Sequence, residues 1–355
     1  MTSLLLNADQ LADHVRSVGV SSLFADARMH GVLGLLGYTA GPHLHPEIDD
    51  LRRRLMIEER LMADEMRRVI DAFGHAGVKV VILKGGALAY THYPEPWCRP
   101  RVDLDLLVAR SRRADAAQVL GRLGYCSVAR VNGELVNQQE QWQRQLTPHV
   151  SHAIDLHVEV SNRAFFASRL RAHDLLERAV VAPFAGPSGW QLDAIDALML
   201  SCVHRVAHHS GESRLIWSAD VSRQSAALAE AQIVTLIARA TTAGVAAICA
   251  NEIDAARQVW GGQCGASVDA VVMRLRDLGR TERSRAFLRE GRGRLGDLWL
   301  DLWGLTHWTD RVRLLLEHVA PPAAYIRGNS TVSPVMLPWL YVRRLVRGAV
   351  RWTRR

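Results

Sequence analysis

The sequence lacks the features that define several large protein classes. Its five cysteines are scattered and include no C-x-x-C pair, which argues against a disulfide framework and a structural zinc site. No stretch of about 18 uncharged apolar residues is present, so no transmembrane span is predicted. The first residues contain no basic segment and reach Asp9 too early for a secretory signal. These absences predict a reduced, cytoplasmic protein.

Two common phosphate-binding motifs are missing as well. Neither G-x-x-x-x-G-K-S/T nor G-x-G-x-x-G occurs, and this disfavours a P-loop or a Rossmann fold. The chain of 355 residues is long enough for two domains. Its composition, 48% hydrophobic and 23% charged, is typical of a globular protein.

The formal net charge of +8 is concentrated at the carboxyl terminus, where the last fifteen residues contain six arginines and no acid. Apolar and basic residues recur there at helical spacing, which predicts a basic amphipathic helix from Trp339 onward. Two interpretations stay open. The helix binds an acidic partner, RNA or an anionic membrane surface, or it packs on the protein with its arginines in water.

Hydrophobic periodicity divides the chain into four parts. Helical spacing predicts an N-terminal helical segment over 1–75, with one amphipathic helix from near Pro46 to the glycines at 74 and 77. Short apolar runs predict a strand-containing core over 76–182, and helical patterns return in a domain over 190–320. A loop and the basic helix occupy 321–355. The Pro- and Gly-containing segment 182–189 is the predicted domain boundary.

Within the core, the pattern predicts short strands separated by helices. Strands are expected at Val78–Leu83, Val102–Val108, Tyr125–Val131 and Val150–Val160, and helices at Ala87–Tyr93 and Arg112–Leu123. Residues 142–148 are expected to lead into the last strand, which should run antiparallel to its neighbour. From Asp193 onward only helices are predicted. The fold class is therefore α+β, with N-terminal helices, a mixed sheet and a C-terminal α-helical domain.

Two aspartates lie inside an otherwise apolar strand. Asp103 and Asp105 point to the same face, because side chains alternate along a strand, and their Cα atoms should be about 6–7 Å apart. A third acid, Asp155, lies in the later apolar strand. Since a buried, unpaired carboxylate is very costly, the three acids predict a bound cation, and oxygen ligands favour Mg²⁺ or Mn²⁺ over zinc. The alternative is that nearby arginines neutralise the first two acids.

A glycine pair, Gly85 and Gly86, lies where the first strand ends and a helix begins. Glycine permits close approach of a ligand, and a helix N-terminus offers free N–H groups to an anion. The pair is a candidate site for nucleotide phosphates, although an isolated Gly-Gly is also a common tight turn. Lys84, Arg99 and Arg101 are close enough in sequence to neutralise phosphate charge, or to be surface charges.

Four further polar residues are candidates on weaker grounds. His157 shares a strand face with Asp155 and would orient it or bind substrate. His204 and His208 lie one turn apart on a predicted helix, but the glutamate of H-E-x-x-H is absent. A structural or acceptor-binding role, with a hydrogen bond to Asp220, is therefore favoured over metal binding. His157 is equally well explained as a core residue with satisfied hydrogen bonds.

Several segments resemble the uncharacterised nucleotidyltransferase family of bacteria, which belongs to the polymerase-β-like nucleotidyltransferase superfamily. Three of them lie in the core: Leu83–Ala89 with the glycine pair, Arg99–Val108 with the D-x-D motif, and Ile154–His157 with the third acid. A helical block, Cys202–His208 followed by Arg214–Val221, is similar too. The resemblance extends over about residues 45–345.

The resemblance implies a Mg²⁺-dependent enzyme that transfers a nucleoside monophosphate from an NTP, such as ATP, to an acceptor and releases pyrophosphate. Asp103, Asp105 and Asp155 would be the catalytic metal ligands, and Gly85 and Gly86 would bind the phosphates. The acceptor is not identified; a peptide or another natural-product precursor, a small molecule or a protein is expected. A catalytically silent NTP-binding module, or a peptide- or RNA-binding adaptor, is the alternative.

Overall fold

The computed structural model describes residues 19–42, 44–128, 138–208, 214–261, 266–289, 294–320, 336 and 338–343. The helices of the N-terminal part and of the core are α1 (Val20–Met29), α2 (Leu33–Ala40), α3 (Pro46–His75), α4 (Lys84–Thr91), α5 (Arg113–Arg122), α6 (Ala164–Ala167) and α7 (Ala172–Arg178). The later helices are α8 (Ala194–His208), α9 (Leu215–Ala226), α10 (Glu230–Ala243), α11 (Ala246–Trp260), α12 (Ala266–Leu278), α13 (Arg294–Gly304) and α14 (Trp308–Val319).

One mixed sheet of seven strands forms the centre of the molecule. The strands are β1 (Val80–Ile82), β2 (Leu104–Val108), β3 (Cys126–Ser127), β4 (Gln139–Thr147), β5 (Val150–His157), β6 (Val180–Val181) and β7 (Trp190–Gln191). Their order is β3-β4-β5-β2-β1-β7-β6. β2 is antiparallel to β1 and parallel to β5, while β5 is antiparallel to β4. This order places the D-x-D strand directly beside the strand of the third acid.

Helices cover both faces of this sheet because its central strands alternate between two apolar clusters. Leu104 and Leu106 of β2 are buried against α3 and α5, in a cluster that includes Met66 and Phe73. Leu107, on the opposite face, is buried in the larger cluster formed by α7, α8 and the helices that follow. Asp105 lies on the same face as Leu107, since side chains alternate along the strand.

Most predicted elements of the core are confirmed, with shifted ends. The helix predicted from Pro46 runs to His75, and the strands predicted to start at Val78 and Val102 start at Val80 and Leu104. The strand predicted at Val150–Val160 ends at His157 and is antiparallel to β4, as expected. Of the strand predicted at Tyr125–Val131, Cys126–Ser127 is observed, and residues 129–131 lie outside the described part of the chain.

Three strands were not predicted. The segment expected only to lead into β5 is itself a strand, β4, which carries many polar side chains because it is half-exposed. β6 and β7 flank the predicted boundary at 182–189, and β7 pairs with β1. The sheet thus includes strands on both sides of that segment, while the division of the chain into domains stays a prediction. Beyond Gln191, the described residues form only helices and turns.

The carboxyl-terminal helix is described only in part. Residues 338–343 are helical, and the rest of the segment predicted as a basic amphipathic helix lies outside the described residues. None of the described helices combines the length and apolarity that crossing a bilayer requires.

Candidate active site

The register of the parallel pair β2–β5 brings two of the predicted acids together. Asp105 lies opposite Asp155, and Leu107 lies opposite His157. Oxygen and nitrogen ligand atoms of Asp105, Asp155 and His157 all lie within 4.8 Å of one another. Residues separated by 50 positions thus form one buried cluster, which a divalent cation would fit.

Asp103 lies immediately before β2 and is half-buried. It is not one of the three residues whose ligand atoms converge. Its charge nevertheless reaches the cluster, because it raises the pKa of Asp155. The structure therefore places all three predicted acids in one electrostatic neighbourhood, with Asp103 at its margin. Their assignment as metal ligands stays a prediction.

The pKa values show that negative charge exceeds positive charge at this site. Burial and the charges of Asp103 and Asp105 raise the pKa of Asp155 to about 7. Burial and the charge of Asp105 raise the pKa of Asp103 to about 6. Burial also opposes ionisation of Asp105, but the charge of Lys84 and a hydrogen bond from His157 hold its pKa well below the usual range. Only one of the three carboxylates is therefore fully compensated by protein cations.

One oxygen of Asp155 is a specific sign of an incomplete site. Its Oδ1 atom is buried and has no hydrogen-bond partner among the described residues. Its Oδ2 atom accepts a long hydrogen bond of 3.4 Å from Gln139. Because an unsatisfied buried carboxylate oxygen is costly, the donor set fits a hard divalent cation.

Lys84, the first residue of α4, has the only positive φ angle among the described non-glycine residues, 47°. Its Nζ donates to Oδ1 of Asp105 at 2.8 Å, and Nε2 of His157 contacts the same oxygen at 2.8 Å. The chain therefore turns at Lys84, in a left-handed conformation that directs its ammonium into the acid cluster. This contact was not predicted, because the glycines were expected to form the turn.

Gly85 and Gly86 lie in the first turn of α4, because the helix begins at Lys84, three residues before the predicted start at Ala87. A Cβ atom on Gly85 would lie 2.7 Å from Nη1 of Arg99. A Cβ atom on Gly86 would lie 2.9 Å from side-chain atoms of Ile82 and Leu104. Both positions thus need glycine for close packing, and the helix N-terminus they form is beside the guanidinium of Arg99.

Arg99 connects this helix end to the C-terminal helices. Its Nε and Nη2 donate to the two carboxylate oxygens of Asp220 on α9, at 3.0 and 2.8 Å. The Tyr93 hydroxyl donates to Asp220 at 2.6 Å. Asp220 therefore holds Arg99 in place, while the hydrogen bond predicted between Asp220 and the α8 histidines stays a prediction.

Arg101 is directed away from the acids. It forms a bidentate salt bridge with Glu59 of α3, at 2.6 and 3.1 Å, and lies close to the Tyr90 hydroxyl. Glu59 and Tyr90 line a cavity of about 450 Å³ between α2, α3 and α4. Arg101 is thus a link between α3 and the loop before Asp103. No sequence pattern marked Glu59, which lies among the other charges of α3.

His204 and His208 lie side by side on α8, with ring centroids 5.3 Å apart. Nε2 of His208 is 3.2 Å from the hydroxyl oxygen of Ser161, four residues beyond the end of β5. The ring of His204 is also near Trp217 of α9. His208 therefore joins α8 to the segment after the acid-bearing strand, and His204 lies against α9.

Comparison with known protein families identifies the family of this chain. The model of the uncharacterised nucleotidyltransferase family matches residues 17–261, which is more than half of the chain. The match starts and ends earlier than the resemblance over about 45–345, and it includes every predicted site residue. No curated protein matches the chain. With the mixed sheet and its flanking helices, the match confirms an α+β nucleotidyltransferase fold, and the chain belongs to the uncharacterised nucleotidyltransferase family.

Proposed function

We propose that the protein is a Mg²⁺-dependent nucleotidyltransferase that uses the acid cluster to transfer a nucleoside monophosphate from an NTP to an acceptor. The observation that carries the proposal is the buried Asp105–Asp155 pair, in which one acid has a pKa raised to about 7 and an oxygen without a partner. A stable fold gains nothing from such repulsion. A site for cations that arrive with the substrate explains it.

Asp105 and Asp155, with Asp103 at the margin, are the residues that would hold the metal. Mn²⁺ has the same preference for oxygen ligands and would replace Mg²⁺. When bound, divalent ions in such a site neutralise triphosphate charge and lower the pKa of an attacking hydroxyl. In the transfer, the acceptor hydroxyl attacks the α-phosphorus, the bond to the departing pyrophosphate breaks, and the hydroxyl proton is lost to a base or to water.

The remaining site residues bind and orient the triphosphate. The N-terminus of α4 offers backbone N–H groups to phosphate oxygens, and Gly85 leaves room there for the guanidinium of Arg99. Nη1 of Arg99 lies next to Gly85, and Asp220 fixes the orientation of its guanidinium. His157 holds Asp105 in a single orientation, and Lys84 supplies a positive charge that would contact either the carboxylate of Asp105 or a phosphate.

The test combines substrate binding with transfer. The protein is titrated calorimetrically with Mg²⁺ and each of the four common NTPs. It is then incubated with each labelled NTP and a cell lysate, and modified species are identified by mass analysis. We expect binding of at least one Mg·NTP, pyrophosphate release and a labelled product. In Asp105→Asn, transfer should fall by about 100-fold or more.

Glu65→Gln is the matched control, because Glu65 is also a buried acid but lies on the opposite side of the sheet. This variant should keep normal transfer at a temperature at which it is folded. Wild-type transfer in Asp105→Asn would contradict the assignment of the site. Mg·NTP binding without any transfer would support the silent NTP-binding module instead.

A further inference from the structure

The outer faces of α13 and α14 expose large apolar side chains at helical spacing. On α13, Leu295, Trp299 and Trp303 are 49%, 59% and 45% exposed. On α14, Trp308 is 72% exposed, and four aliphatic residues continue the stripe: Val312, Leu315, Leu316 and Val319. Soluble surfaces seldom carry three exposed tryptophans on two consecutive helices, and such patches mark interaction sites. We call these eight residues the outer stripe.

The two helices that carry these exposed side chains are packed firmly on the rest of the protein. Their inner faces pack around Leu305 and Leu314, which are buried with Ala164 of α6. Gly304 approaches α6 so closely that a Cβ atom would lie 2.4 Å from Cα of Phe165. Asp301 accepts a hydrogen bond from the backbone N–H of Phe165 at 3.2 Å. The outer stripe is therefore presented by a fixed pair of helices.

Among the described residues 281–320, the exposed charged side chains are arginines, whereas the acids, including Asp310 on α14, are at most half-exposed. Exposed arginines occur before and within the two helices, at Arg283, Arg285, Arg289, Arg311 and Arg313. Each described acid between 281 and 320 is buried or half-buried. Asp297 and Asp301 form salt bridges with Arg163, and Glu317 forms one with Arg313.

One contact shows that the positive and apolar groups belong to the same surface. The guanidinium of Arg283 lies 4.8 Å from the ring centroid of Trp303. The chain after α14 has the same character. Trp339 and Val342 are 51% and 58% exposed, and the last fifteen residues carry six arginines and no acid.

We infer that the outer stripe docks on an anionic lipid surface. Tryptophan and leucine side chains enter the boundary between head groups and acyl chains, while arginines stay at the level of the lipid phosphates. A second copy of the chain fits less well, because it would bring two arginine-rich faces together. RNA fits less well, because it offers no apolar phase in which the valines and leucines are buried.

Co-sedimentation with lipid vesicles tests the inference. The full-length protein is mixed with vesicles of phosphatidylcholine alone or with added phosphatidylglycerol. We expect binding only to the anionic vesicles, with a decrease as salt is raised. The variant Trp299→Ser/Trp303→Ser/Trp308→Ser should bind the anionic vesicles at least about tenfold more weakly. It keeps every charge but loses the aromatic area that would be buried in the bilayer.

Met56→Ser/Ile57→Ser is the matched control. These residues of α3 are 50% and 63% exposed and lie outside the outer stripe, so their loss should leave vesicle binding unchanged. Thermal melting of each variant checks that it is folded. Equal vesicle binding by wild type and the tryptophan variant would overturn the inference. So would an absence of binding, a stripe-dependent dimer in solution, or stripe-dependent binding of a single-stranded RNA that displaces the vesicles.

Discussion

Two buried acidic sites lie on opposite sides of the central sheet, and they differ in the number of cations that face them. On the α3 side, Glu65 accepts hydrogen bonds from Arg68, Arg144 and the Tyr125 hydroxyl at 2.6, 2.9 and 2.7 Å. Burial alone would raise the pKa of Glu65, but these partners lower it to about 2. Here the protein supplies all the positive charge that the acid requires.

On the other side, three aspartates face the ammonium of Lys84 and the imidazole of His157, and the guanidinium of Arg99, which is already paired with Asp220, acts on Asp103. The pKa values of Asp103 and Asp155 rise to about 6 and 7, the reverse of the shift at Glu65. The side chains of Glu65 and Asp155 are similarly shielded from solvent, at 6% and 9% exposed, and the supply of cations accounts for the opposite directions of their pKa shifts. Under the proposed function, a cation that arrives with the substrate supplies the positive charge that the folded protein lacks at this site.

The largest expected difference between the two acidic sites is in how their variants change the response of the melting temperature to added metal. Mn²⁺ or Mg²⁺, with or without NTP, should raise the melting temperature of the wild type, because a ligand that binds only the folded state stabilises it by about 1–3 kcal/mol at saturating concentration. Asp155→Asn should abolish this shift, since it removes a ligand oxygen charge. Differential scanning fluorimetry after EDTA treatment measures the shift.

Glu65→Gln is the control for that experiment. It should melt at a lower temperature than the wild type but show the same shift when metal is added. If Glu65→Gln lost the shift while Asp155→Asn kept it, the roles assigned to the two acidic sites would be reversed.

The next effect concerns the stability of the metal-free protein. Glu65→Gln should destabilise the fold by about 1–3 kcal/mol, because it leaves two arginines beside a neutral group. Asp155→Asn should stabilise the fold by about 1 kcal/mol at neutral pH, because a neutral isostere removes repulsion between carboxylates. Urea unfolding in EDTA measures both changes. Destabilisation of equal size in the two variants would remove the contrast between the sites.

The comparison also explains how much of the structure was predictable from sequence. The acids of the D-x-D strand and Asp155 stood out because carboxylates interrupt apolar strands, and the long periodic helix over α3 was clear. The parallel register of β2 with β5 could not be predicted, since no local pattern indicates which strands become neighbours. The Arg99–Asp220 pair joins residues 121 positions apart and left no mark in the local pattern.

At two places the local sequence pattern predicts a different backbone from the one that is observed. β4, with sequence QEQWQRQLT, is too polar to suggest a strand, but it is half-exposed and pairs along most of β5. The turn before α4 was assigned to the glycines, whereas Lys84 adopts the positive φ and the glycines provide room for Arg99 and the sheet. In both cases tertiary contacts decided the backbone conformation.

A smaller effect concerns Arg99, which lies beside the end of α4 that is proposed to bind phosphate. Gly85→Ala would force the Arg99 guanidinium away from its position and strain its pair with Asp220, so we expect a loss of about 1–2 kcal/mol of stability. It should also weaken NTP binding. Gly121→Ala on α5 is the control, because no atom lies within 4 Å of the added Cβ. Calorimetric titration with Mg·NTP and thermal melting compare the two, and identical behaviour would show that Arg99 adjusts freely.

The smallest expected effect is a difference in pH dependence. Asp155 has a folded-state pKa of about 7, above the usual 3.8, so the stability it contributes is present at low pH and is lost as pH rises towards 7. Glu65 has a lowered pKa of about 2, so its contribution is present above about pH 4.5 and is lost as pH falls towards 2. In EDTA, the advantage of Asp155→Asn over wild type should therefore grow by about 1 kcal/mol between pH 6 and pH 7. Urea midpoints at the two pH values measure it, and a constant difference would mean that Asp155 is already ionised at pH 6, as an acid with sufficient cations would be.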